Sequence, residues 1–152
     1  GSLRIYVKKN LKTKIDKSIK SLLSEEEKFG IKKYQTYQNF AKKVYKIRDS
    51  VRKNILKLKE NGTKIIGYGS PAKATTALNF FGISDEIECI VEDNKLKQGK
   101  LLPGVKIPIV SKSDIKGKPD FALVLAWNFI NEIKSKNVDF AHKFISIKDL
   151  EN

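Results

Sequence analysis

Between Tyr34 and Glu60 the apolar residues Tyr37, Phe40, Val44, Ile47, Val51, Ile55 and Leu58 recur at steps of three and four, with lysines on the opposite face. That spacing predicts a long amphipathic helix over 34–60. Asn61-Gly62 closes it with residues able to take left-handed backbone. Upstream, Ile15, Ile19, Leu22 and Leu23 share one face of a shorter predicted helix over 13–29, with Thr13 as N-cap and Gly30 as its stop. Residues 3–7 alternate apolar and polar side chains as a half-buried strand does, with no partner strand nearby.

After Gly62 the texture changes to short apolar runs divided by turn signals and helical stretches, the pattern of a parallel sheet with crossover helices. Strands are expected at 64–68, 87–91, 107–110, 121–125 and 144–147. Helices are expected near 71–81 and 128–137, with a weak turn at 113–116. The long connection 92–106 carries Gly99, Pro103 and Gly104, and connections of that length are usually functional or mobile. The predicted fold is α/β: a small Rossmann-like parallel sheet with flanking helices over 63–152, preceded by a helical linker over 10–61.

Composition narrows the possibilities. The chain has 152 residues and a formal charge of +14, long enough to bury a core without disulfides or a structural metal. One cysteine and one histidine exclude a disulfide framework and a Cys/His zinc site. No apolar run approaches the roughly 18 residues of a membrane span, and no signal-peptide core opens the chain, so a cytoplasmic protein with no membrane partner is expected. Residues 1–64 hold 19 Lys/Arg and 6 Asp/Glu, whereas residues 65–152 hold 12 and 11. The basic half reads as a solvated lysine face, a docking face for protein, or a nucleic-acid patch. Nucleic acid is disfavoured, because only three of those cations are arginine and no aromatics interleave with the lysines.

The strongest local signal is Ile65-Ile66-Gly67-Tyr68-Gly69-Ser70-Pro71-Ala72-Lys73, an apolar strand entering glycines and then a helix, matching G-x-G-x-x-A. Gly67 and Gly69 permit a tight turn, Ser70 suits the N-cap, Pro71 suits the first helical position, and Ala72 lets helix and strand approach. Free amides of Gly67, Gly69 and Ser70 at the positive helix end, with the Lys73 ammonium, would face a phosphate; the alternative is a bare turn without ligand. Glu92 follows Gly69 by 23 positions, near the spacing at which an acid meets a ribose; otherwise it is a solvated strand-end acid. Trp127-Asn128 ends the fourth strand, either as stacking surface and hydrogen-bonding group or as core tryptophan and helix cap. Cys89 reads as a small buried hydrophobe and His142 as a surface or capping residue. Too few residues follow Leu125 for a complete dinucleotide fold, which favours a mononucleotide or nucleotide-sugar.

Four ordered blocks resemble the C-terminal domain of sugar-nucleotide C-methyltransferases: Gly67-Tyr68-Gly69-Ser70-Pro71-Ala72-Lys73, Val91 to Gly104 with Asn94 and Lys97, Ile107-Pro108-Ile109, and Ala126-Trp127-Asn128. The family runs G-Y-G-A/S-P-A-K, V-D-x-N-x-x-K-Q-G-x-x-x-P-G, I-P-I and P/A-W-N. The opening Gly1-Ser2-Leu3-Arg4-Ile5-Tyr6 is similar to the close of that family's methyltransferase domain, so 1–9 is a residual strand of an upstream domain or begins in a cloning scar. The resemblance implies an S-adenosylmethionine-dependent enzyme that methylates a carbon beside the ketone of a nucleotide-linked deoxysugar. Methyl donor, catalytic base and a zinc site would lie upstream, leaving this chain without catalytic residue, cofactor or metal, and inactive alone. Its implied partners are the nucleotide-sugar and the upstream methyltransferase domain; independently of the resemblance, the apolar stripe from Tyr37 to Leu58 is too long for the small sheet to cover and is expected to pack partly on the helix over 13–29 and otherwise on the missing domain or a second copy. The substrate-binding set is then Gly67, Gly69, Ser70, Ala72, Lys73, Glu92, Asn94, Lys97, Trp127 and Asn128. Glu92 departs from the family's Asp, and Ala126 from its commoner Pro. A nucleotide-sensing or protein-interaction module without catalytic role is the alternative.

Overall fold

A computed structural model describes residues 3–9, 14–60 and 62–151. The chain forms two compact units, residues 1–42 and 43–152. The first contains α1 (Lys17–Phe29) and the start of α2 (Tyr34–Glu60). Asp16, not the expected Thr13, caps α1: its carboxylate accepts the Ser18 amide at 2.8 Å and the Ser18 hydroxyl at 2.6 Å. Thr13 lies outside the described residues. Gly30 ends α1 with φ 81°, and its amide reaches the Glu26 and Glu27 carbonyls, the left-handed termination a glycine makes at least cost. The Tyr37 hydroxyl then donates to the Ile31 carbonyl at 2.6 Å. α1 buries no residue. Residues 3–7 form no strand and stay exposed; the alternating pattern is present, but a strand needs a partner to satisfy its backbone.

The second unit is a five-stranded parallel sheet of β1 (Ile65–Tyr68), β2 (Ile90–Val91), β3 (Ile109–Val110), β4 (Phe121–Val124) and β5 (Lys143–Ile145), in the order β3-β2-β1-β4-β5. Every named strand pair is parallel, and all five expected strands are present, the first four shortened and the fifth starting one residue earlier and ending two earlier than expected. At β2 the ladder runs beyond the strand, since the Gly67 amide bonds the Cys89 carbonyl and the Glu88 amide the Ile65 carbonyl. Side chains alternate across β1. Ile65 joins a core cluster with α3 (Ala72–Phe81), Val51 and Ile55 of α2, and Leu123 and Leu125. Ile66 and Tyr68 join the opposite cluster with Val91, Ala122 and Phe140, against which Ile133 of α4 (Ile130–Lys136) packs. Both faces are covered, as a doubly wound parallel sheet requires.

The stripe of α2 is used unevenly: Val51 and Ile55 are fully buried, Val44, Ile47 and Leu58 half-buried, Tyr37 and Phe40 exposed. The connection 92–106 is tied down. The Gly99 and Leu102 amides donate to the Ile109 and Ile107 carbonyls, and Leu102 is buried. A 3₁₀ turn at Trp127–Phe129 precedes α4, and Phe129 rather than Asn128 occupies its cap position, without a side-chain bond. No described helix is long and apolar enough to cross a membrane.

Candidate functional site

The strand order changes direction at β1: α3 carries the chain from β1 to β2 on one side, and the connection after β3 returns it to β4 on the other. Between the carboxyl ends of β1 and β4 a crevice opens at such a switch point. A cleft of about 400 Å³ lies there, lined by Gly69 and Ser70 after β1, Glu92, Asp93 and Lys97 after β2, Ala126, and Phe129, Glu132, Lys136 and Asn137 around α4. Three carboxylates and two ammonium groups therefore converge on it.

The glycine loop is shaped by packing. A Cβ on Gly67 would meet Ile90 Cγ1 at 2.9 Å and Leu125 Cδ1 at 3.1 Å, and Gly69 has φ 83°. The amides expected to face a phosphate are occupied: Gly67 donates to the Cys89 carbonyl at 2.9 Å and Gly69 to the Val91 carbonyl at 2.8 Å. Ser70 is not a helix cap. Its amide and hydroxyl both donate to Glu92 Oε2, at 2.9 and 2.5 Å, while Pro71 takes the N-cap position of α3 without a capping bond. Ala72 is exposed, and the small residue that lets α3 approach the sheet is the fully buried Ala74. Of the α3 entry amides, Ala72 and Lys73 have no partner among the described residues.

Glu92 organises the loop crossing. Besides the Ser70 bonds, it accepts the Asn94 amide at 3.1 Å and pairs with Lys97 at 3.5 Å, and Lys97 also donates to the Ser70 carbonyl at 2.9 Å. Partial burial alone would raise its pKa, but the Ser70 hydroxyl, the two amides and Lys97 outweigh burial and hold it below the usual glutamate range. It is an ionised clamp with little capacity left for a ribose. Asn94 uses its side chain locally, accepting the Leu96 amide at 3.0 Å.

Lys73 and Trp127 do meet. The ammonium lies 4.4 Å from the indole centroid, a cation–π contact across the ends of β1 and β4. This pair, with Ala72, Asn94 and Asn128, is outside the lining of the cleft, which holds Gly69, Ser70, Glu92 and Lys97 of the expected set. Gly67 is buried in β1. Sequence reasoning missed the far wall. The buried Tyr68 hydroxyl lies 3.3 Å from both Asp93 Oδ1 and Asn137 Oδ1, and Lys112 donates to the same Asn137 oxygen at 2.6 Å. Burial first, then the Asp93 charge, raises the Tyr68 pKa, so it stays a neutral donor. Tyr68 stood inside the recognised motif, but Asn137 carried no signal because its role depends on where α4 ends. Cys89 is half-buried beside the second cluster, with its thiol pushed up by burial, and His142 is exposed.

Comparison with known proteins decides the family. The model of the C-methyltransferase C-terminal domain matches residues 1–146. The chain belongs to that family. It is also 34% identical over 125 residues to the C-methyltransferase NovU of Streptomyces niveus, covering 81% of this chain and 30% of NovU. The domain thus spans under a third of that relative's length. Among the described residues no group of three or more His, Cys, Asp or Glu is arranged to hold a metal ion.

Proposed function

We propose that the chain is the C-terminal, substrate-holding domain of an S-adenosylmethionine-dependent methyltransferase that C-methylates a nucleotide-linked keto-deoxysugar. The observation that carries this reading is the cleft at the switch point, where carboxylates suited to hydroxyl groups and ammonium groups suited to phosphates converge. Asp93 and Glu132 accept bonds from sugar or ribose hydroxyls, while the nearly saturated Glu92 holds the loop in place. Lys97 and the free Ala72 and Lys73 amides, with the Lys73 ammonium resting on Trp127, draw the pyrophosphate to the mouth of α3.

Methylation beside a ketone needs a base to remove the α proton and an activated methyl group to which the resulting carbon nucleophile bonds, with a thioether leaving. S-adenosylmethionine supplies that methyl, and we assign it, the base and any zinc to the remainder of the polypeptide. The chain alone is then inactive, and it gives no calorimetric heat with S-adenosylmethionine; micromolar affinity would overturn the assignment.

The reading is tested by a nuclear magnetic resonance titration with a dTDP-sugar. Half a site binds weakly, at roughly millimolar affinity. The amides of Gly69, Ser70, Ala72, Lys73 and residues 92–97 shift first, and Lys73→Ala weakens the response about tenfold while leaving the rest of the spectrum intact. Shifts confined to α2 lysines and abolished by salt would leave the glycine loop as a turn and favour a protein-interaction module.

A further inference from the structure

A second cleft, of about 380 Å³, lies on the sheet face covered by α4, between the segment joining β3 to β4 and the segment joining α4 to β5. Lys112 and Lys118 reach it from the first segment, Lys136 from the last turn of α4, and Val138, Asp139 and Phe140 from the second. The substrate-holding role proposed for the chain uses none of this pocket beyond its shared edge at Lys136 and Asn137.

Its charge is unbalanced. Lys136 is paired with Glu132 at 2.6 Å, but Lys112 and Lys118 form no ion pair among the described residues. Asp139 is the only carboxylate in the lining. Lys112 is nevertheless held in place. Its ammonium donates to Asn137 Oδ1 at 2.6 Å and stands 5.6 Å from the Phe140 ring centroid. Asn137 is itself buried, and its side-chain amide donates to the Ile133 carbonyl at 2.9 Å. A neutral amide thus positions the cation without neutralising it, leaving the other ammonium hydrogens for an oxyanion. The rest of the wall, with Ile115, Val138 and Phe140, is apolar.

We propose that this cleft is a separate binding site for a small organic oxyanion, a phosphate or carboxylate attached to an apolar body. Lys112 and Lys118 take the oxyanion, and the body lies against Phe140 and Val138. A site that combines fixed polar groups with apolar wall has the make-up of a small-molecule pocket. Gly117, in the left-handed region at φ 72°, lines the cleft without a side chain.

The test uses phenyl phosphate, benzoate and inorganic phosphate as separate probes in amide-shift titrations of the whole chain at physiological salt. Phenyl phosphate shifts the amides of Gly117, Val138, Asp139 and Phe140 and binds at least about threefold tighter than inorganic phosphate, because only it covers the apolar wall. Benzoate at equal strength identifies a carboxylate site, and a weaker benzoate response a phosphate site. Lys118→Ala, an exposed position whose loss leaves the fold intact, weakens phenyl phosphate several-fold, and Lys112→Ala about tenfold. Unchanged amides at these four residues, inorganic phosphate binding as tightly as phenyl phosphate, or affinity indifferent to Lys118→Ala would overturn the proposal. The dTDP-sugar titration reads residues 69–73, so either site can fail alone.

Discussion

A methyl group at Gly67 has nowhere to go. Its Cβ would sit 2.9 Å from Ile90 Cγ1, against a β2 side chain, and 3.1 Å from Leu125 Cδ1. Gly67→Ala is expected to lower unfolding stability by about 1–3 kcal/mol, measured by urea denaturation. Glu92 makes a different prediction, in pH. Its folded pKa is held below the unfolded value, so the stability it contributes is present above the unfolded value and disappears as pH falls through the folded one. Asp149, held down by the Ser146 amide and hydroxyl, acts in the same direction. Stability should therefore decline below about pH 4, and Glu92→Gln should make that decline shallower in denaturation curves taken across the acid range. An unchanged acid limb would mean that the clamp at Ser70 is not energetically engaged. The glycines were legible as residues because their sterics are local. The occupied amides were not, because their acceptors are Cys89, just before β2, and Val91 in it, more than twenty positions away.

Among the elements, α2 shows how a uniform pattern can be put to unequal use. Its stripe keeps the same spacing from Tyr37 to Leu58, yet Ile55 is fully buried and Phe40 is 65% exposed. Ile55→Ala should cost about 2–4 kcal/mol through the cavity it leaves, whereas Phe40→Ala should stay within about 0.5 kcal/mol. Parallel denaturation of the two variants checks this, and equal losses would show that the whole stripe is covered in solution. Periodicity therefore predicted the boundaries of α2, which match at both ends, but not which turns of it meet the sheet. The short strands illustrate the reverse. Five apolar runs were readable, while the ends of β2 and β3 depend on which backbone groups find partners in the ladder. The connection 92–106 is ordered because Leu102 is buried and its backbone bonds are made to residues near β3.

For the molecule as a whole, exposed apolar side chains and a charge of +14 act against each other. Ile19, Leu23, Tyr37 and Phe40 all lie exposed in residues 14–42, a surface that favours association. Like charge opposes it between copies. Salt screens the repulsion and leaves apolar burial in place, so light scattering across a salt series should show association that grows with ionic strength. A monomer at every salt concentration would indicate that this surface does not drive association between copies.

Local sterics and periodicity were enough to specify the long helix, the five apolar strands, the strand–glycine–helix turn, and the ordered motifs by which the family could be recognised. Those properties are carried by residues near one another in the chain, so spacing reveals them. The strand order, and with it the position of the cleft between β1 and β4, emerged only from the assembled fold. Assembly also set Glu92 against Ser70, Lys73 on Trp127, and Asn137 between Tyr68 and Lys112. Each of those contacts joins residues from different elements, and hydrogen bonds and ring contacts depend on distances of a few ångströms that arise only once the sheet has formed.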